Sequence, residues 1–123
     1  MIVPRILVVD DNPDMRASLR ELLALLGYDV HTAADGHQAI AAQRAKAFGT
    51  LITDIFMAGK EGMETIATFK RDWPLVRVIA MSGGGERAKN NYLQAALHIG
   101  ADATLQKPFS LETLKLALGR LSG

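Results

Sequence analysis

Short apolar runs alternate five times with stretches whose apolar residues recur at helical spacing, and this alternation restricts the fold more than any other feature of the chain. Residues 5–9, RILVV, form a β-branched apolar run. Met15, Leu19, Leu22, Leu23 and Leu26 then fall on one helical face, with Asn12 placed as N-cap, Pro13 at the first helical position and Gly27 as the C′ residue. The same reading predicts strands over 28–33, 50–53, 76–81 and 103–106. It predicts helices over 35–47, 62–72, 86–99 and 110–121, the second stopped before Pro74, the third closed by Gly100 and the last capped by Ser110.

Five strands alternating with five helices over short connections imply βαβ crossovers. The expectation is an α/β fold, a doubly wound, five-stranded, mainly parallel sheet with helices on both faces. A chain of 123 residues is near the commonest domain size, so a single domain over 1–123 is expected. In such sheets a ligand site lies beyond the carboxyl ends of the strands, where strand order reverses.

Composition removes other classes. Fourteen basic and thirteen acidic residues give a net charge of +1, which offers no broad field for nucleic acid or membrane. The chain has no cysteine, so disulfides, cysteine-ligated zinc and thiol catalysis are excluded. No apolar run reaches membrane-spanning length, and the N-terminus lacks the pattern of a signal peptide, so a cytoplasmic location is expected.

The residues that close the strands carry the chemistry. The first strand ends in Asp10 and Asp11, the third in Asp54, the fourth in Ser82, and the fifth in Lys107 followed by Pro108. Taken singly, each is an ordinary cap, turn or surface residue. In a parallel sheet they meet at one edge. Three crowded carboxylates repel one another unless a cation sits among them, and an oxygen-only donor set favours Mg²⁺, with Mn²⁺ able to substitute. A carboxylate nucleophile, neutralising cations and a hydroxyl donor can together hold a phosphoryl group, which points to acyl-phosphate chemistry.

The segments LVVDDNPDMR at 7–16, LITDIFMAGKEGME at 51–64, MSGGG at 81–85 and LQKPFS at 105–110 resemble, in order and spacing, the motifs of a response-regulator receiver domain of two-component signalling. The resemblance is to the chemotaxis-type single-domain kind and covers residues 6–121. It implies a flavodoxin-like sheet of order 2-1-3-4-5. It also implies Asp54 as phosphoacceptor, Ser82 as switch hydroxyl and Lys107 as phosphate-binding cation. Mg²⁺ would be held by Asp11 directly, by Asp10 mainly through water, and by Asp54 and the backbone carbonyl of Phe56. Further implications are a cis Lys107–Pro108 bond and a partner that is a histidine kinase or histidine phosphotransfer protein. The downstream partner is not implied.

The chain departs from the family pattern in places. Ala58 stands where proline commonly follows Met57, and Gly83 to Gly85 replace a more restrictive loop. Thr104 occupies the position of the usual switch aromatic, so the side chain that would turn as a rotamer gate is missing. His31, His37 and His98 have no metal-ligand spacing, the Leu111, Leu114, Leu118, Leu121 stripe reads as core, and Arg87, Lys89, Asn90 and Asn91 as a solvated helix start. Three rivals remain. A small aspartate-nucleophile phosphohydrolase needs a DxD motif on the first strand, where this chain has Asp10-Asp11-Asn12. A nucleotide-binding module needs more than Gly83 to Gly85. A receiver cut from a hybrid kinase or longer regulator has the same chemistry and differs only in the length of the full protein.

Overall fold

The computed structural model describes residues 4–55, 61–83 and 90–122. Phe56, Met57 and Ala58, and the Gly84 to Lys89 part of the glycine loop and predicted fourth helix, lie outside the described residues. The elements run β1 (Arg5–Val9), α1 (Pro13–Leu25), β2 (Asp29–Ala33), α2 (Gly36–Ala45), β3 (Thr50–Asp54), α3 (Glu61–Asp72), β4 (Arg77–Ser82), α4 (Asn90–His98), β5 (Ala103–Gln106) and α5 (Leu111–Ser122). All four strand pairings are parallel, and the order is β2-β1-β3-β4-β5. The doubly wound sheet expected from the alternation is therefore present, and its strand order reverses between β1 and β3.

The inner strands β1, β3 and β4 are buried on both faces, whereas the edge strand β2 is largely open to solvent, and successive residues face opposite ways. Leu7 and Val9 of β1, Leu51 of β3, and Val78 and Ala80 of β4 pack with Ala39, Ile66, Phe69 and Ala96 on the side covered by α2, α3 and α4. Ile6, Val8, Ile52, Ile79, Met81 and Leu105 pack with Leu19, Leu23, Leu114 and Leu118 on the side covered by α1 and α5. Each large apolar side chain so removed from water stabilises the fold by about 1.5–3 kcal/mol. The leucine stripe of α5 is only partly core: Leu114 and Leu118 are buried, whereas Leu111 is 44% exposed.

Local chemistry sets the helix boundaries. The Asn12 side chain accepts from the Asp14 and Met15 amides at 2.9 and 3.2 Å, Asp35 accepts from the Gln38 amide at 2.8 Å, and Ser110 Oγ accepts from the Thr113 amide at 3.1 Å. Gly27 and Gly100 have φ of +98° and +122°, the left-handed region that glycine enters without a Cβ clash. Helix α2 stops two residues short of the predicted end. Phe48 turns into the core there, and the buried Gln43 side chain accepts from its amide at 2.9 Å and donates to its carbonyl at 3.3 Å. A second tertiary tie is made by Lys70, whose Nζ donates to the Val76 carbonyl at 2.9 Å and to Asp102 Oδ2 at 2.8 Å. Among the described residues no helix is long and apolar enough to cross a membrane.

Candidate functional site

Parallel pairing brings the carboxyl ends of β1, β3, β4 and β5 to one edge. Asp10 follows β1 and is 1% exposed, Asp54 ends β3 at 6%, and Ser82 ends β4 fully buried. Asp11, one residue further, is exposed. Carboxylate oxygens of Asp10, Asp11 and Asp54 lie within 4.8 Å of one another. Lys107, just beyond β5, places Nζ 2.8 Å from Asp10 Oδ2 and 2.8 Å from Asp54 Oδ2, closing contacts across 97 and 53 positions of sequence. Five of the six residues singled out from the sequence are thus found at the carboxyl edge. The sixth, Phe56, lies outside the described residues.

The backbone around this cluster is tightly specified. The Asp10 amide donates to the Ala33 carbonyl at 3.2 Å, and Asp10 Oδ1 accepts from the Asn12 amide at 3.0 Å. The Ile55 amide donates to the Met81 carbonyl at 2.9 Å, and β3–β4 pairing sets Asp54 opposite Met81, so Ser82 stands one residue beyond. The Lys107 amide donates to the Ser82 carbonyl at 2.8 Å, tying the two strand ends, and Ser82 Oγ donates to the Gly83 carbonyl at 3.4 Å. The Lys107–Pro108 bond is cis. Thr104 is half-buried within β5.

Two further residues reach the site, and although they lie inside the segments at 7–16 and 51–64, neither was singled out there as a site residue. Arg16 Nη1 donates to the Asp10 carbonyl at 2.7 Å, and Gly62, at the start of α3, lies directly against the backbone of Asp54 and Ile55. An arginine in a first helical turn and a glycine near a helix start are both commonplace. Only the packing shows what they touch.

Burial of Lys107 favours its neutral form, but hydrogen bonds and charge from Asp10 and Asp54 outweigh that, and its pKa is held above the ordinary lysine value. A raised lysine pKa contributes stability that is fully present below the unfolded value near ~10.4 and is lost as pH rises through the folded value. In metal-free buffer Lys107→Met is expected to cost about 2 kcal/mol, a charged-group hydrogen-bond loss. That difference from wild type should stay flat from neutral pH up to about 10 and shrink above it. Urea unfolding at stepped pH checks it, and a difference that already shrinks between roughly pH 7 and 9 would contradict the assignment.

Lys107 offsets one of three negative charges. Unit charges about 4 Å apart at an effective dielectric near 20 interact by about 4 kcal/mol, so repulsion among the remaining carboxylates is substantial. The donors are all oxygens, two of the three residues are almost fully buried, and the cluster fits a hard divalent cation such as Mg²⁺.

Comparison with known proteins decides the family. The family model for the response regulator receiver domain matches residues 6–119. The chain belongs to the response-regulator receiver domains. It is 36% identical over 118 residues to the transcriptional regulatory protein TcrA of Mycobacterium tuberculosis, covering 96% of this chain and 46% of that protein. It is 33% identical to the sensor protein EvgS of Escherichia coli, covering 94% of this chain and 9% of that one. The chain therefore spans about half the length of the first of these relatives and a small part of the second. The chemotaxis protein CheY4 of Vibrio cholerae superposes with a TM-score of 0.87 at 28% identity, covering 98% of this chain and 99% of that one. The receiver domain's carboxyl edge is where the acidic cluster and Lys107 meet.

Proposed function

We propose that this receiver domain takes a phosphoryl group onto Asp54 from a phosphohistidine of a histidine kinase or histidine phosphotransfer protein, and that the phosphorylated form has a changed affinity for a downstream protein. The observation that carries this reading is the meeting of Lys107 with both Asp10 and Asp54 at 2.8 Å beside the Asp11 carboxylate. Asp54 Oδ attacks phosphorus as the P–N bond breaks, and the departing imidazole nitrogen keeps the electron pair. Lys107 neutralises charge on the transferred group, and Ser82 swings its hydroxyl to donate to a phosphoryl oxygen. Asp10, Asp11, Asp54 and the Phe56 carbonyl would hold Mg²⁺, or Mn²⁺ in its place. When bound, the ion supplies the positive charge that lets an anionic donor approach an acidic pocket.

A receiver of a longer regulator or hybrid kinase would work in the same way, and matches to both TcrA and EvgS accord with either setting. The test is phosphotransfer profiling. Label on a set of autophosphorylated histidine kinases from the source organism is expected to move rapidly to this chain from one or a few of them when Mg²⁺ is present. No transfer from any kinase or phosphotransfer protein, at any time, would overturn the reading.

A further inference from the structure

We infer that Arg16 is a positioning residue for the cation site, fixing the peptide unit that joins Asp10 to Asp11 and so setting the relation of their carboxylates before an ion binds. The inference rests on the reading of the acidic cluster as a cation site. A peptide group is a rigid plane, and the torsions on either side of it decide how the Asp11 side chain leaves the backbone relative to Asp10. Both flanks of that plane are anchored. Asp10 donates its amide to Ala33, and its two carboxylate oxygens accept from Asn12 and Lys107. Asn12 is anchored by the same bond and by capping α1.

The oxygen of the intervening plane is the Asp10 carbonyl, and it is held by Arg16 Nη1 at 2.7 Å. Arg16 can do this because it sits one helical turn beyond Asn12, to whose carbonyl its own amide donates at 3.1 Å, and long side chains on a helix lean back toward the N-terminus. Asp11 is exposed, with little packing to orient it, so the plane is the main constraint on its direction.

Charge alone makes the opposite forecast. A guanidinium beside the pocket repels a divalent cation, so if Arg16 mattered only through its charge, removing it would tighten Mg²⁺ binding. Positioning and charge therefore differ in sign. The experiment is calorimetric titration of MgCl₂ into wild type and Arg16→Met, with amide relaxation of the metal-free wild type by NMR. The dissociation constant is expected to rise about tenfold in Arg16→Met, the effect of losing one charge-assisted hydrogen bond. Equal or tighter binding by Arg16→Met would overturn the role of Arg16 while leaving the cation site standing. Wild type that binds neither Mg²⁺ nor Mn²⁺ would overturn the cation-site reading itself. The relaxation measurement needs no variant. The Asp11 amide is expected to be as ordered without metal as the interior of α1, and an amide that orders only when Mg²⁺ is added would overturn the preset geometry.

Discussion

Asp54→Asn is expected to reduce labelling by acetyl phosphate or beryllofluoride to background, and chelation of Mg²⁺ and Mn²⁺ is expected to do the same to wild type. The amide has nearly the shape of the carboxylate but lacks the anionic oxygen that would attack phosphorus. Asp10 and Asp11 are the competing acceptors, and the geometry separates them. Asp10 is 1% exposed, with Oδ1 engaged by the Asn12 amide and Oδ2 by Lys107, while Asp11 stands out in solvent at the rim. Asp54 ends the central strand at the bottom of the cluster, against Lys107. The variant should fold, because it removes one of three mutually repelling charges and leaves Lys107 paired with Asp10. Intact mass and peptide mapping read the covalent label from acetyl phosphate, and fluorine NMR reads beryllofluoride, which binds reversibly. Retained label on another residue, or labelling that persists in chelator, would contradict the assignment of Asp54 and of the metal requirement respectively.

Gly62→Ala is expected to damage the site without altering any charged or hydrogen-bonding side chain. A Cβ at this position would come within 2.5 Å of the Ile55 Cα and 2.8 Å of its carbonyl carbon, and closer still to the Asp54 carbonyl oxygen. These are backbone atoms of the strand end that carries Asp54, so they cannot rotate away as a flexible side chain would. Helix α3 or the end of β3 must shift. Overpacking of this kind commonly costs about 1–3 kcal/mol, and contact with backbone atoms in place of a flexible side chain puts Gly62 at the upper end. Urea unfolding is expected to show a loss of about 3 kcal/mol, and labelling of the remaining folded protein should slow because Asp54 is displaced from Lys107. A variant with wild-type stability and labelling rate would show that α3 can move outward at no cost.

These two cases differ in how visible they were beforehand. Asp54 stands at the end of a β-branched run, in a motif whose order and spacing resemble a known family. Gly62 lies in the same quoted segment, LITDIFMAGKEGME, but as the second residue of a helix it carries no local mark of a contact with β3. Arg16 is similar: it lies inside the quoted LVVDDNPDMR segment, yet its bond to the Asp10 carbonyl depends on the angle at which α1 leaves β1. Where the predicted α2 ran two residues long, the missing information was the attraction of the core for Phe48, which outweighed helical propensity at Lys46 and Ala47. The Leu111 error has the same form, since a helical stripe specifies a face but not how far along the helix the sheet covers it.

What the amino-acid order determined by itself was everything governed by interactions within about four residues. This comprises the alternation of periods, the caps at Asn12 and Ser110, the left-handed turns at Gly27 and Gly100, and polar residues at the ends of apolar strands, whereas Asp35, expected inside α2, proved to be its cap. From these the α/β class followed. Only the tertiary structure decided which of those polar residues touch, because the 2.8 Å contacts from Lys107 to Asp10 and Asp54 span 97 and 53 positions. Their geometry is set by strand register and by helices packing on two faces of the sheet. Those packing free energies belong to residues distant in sequence, and no local pattern records them.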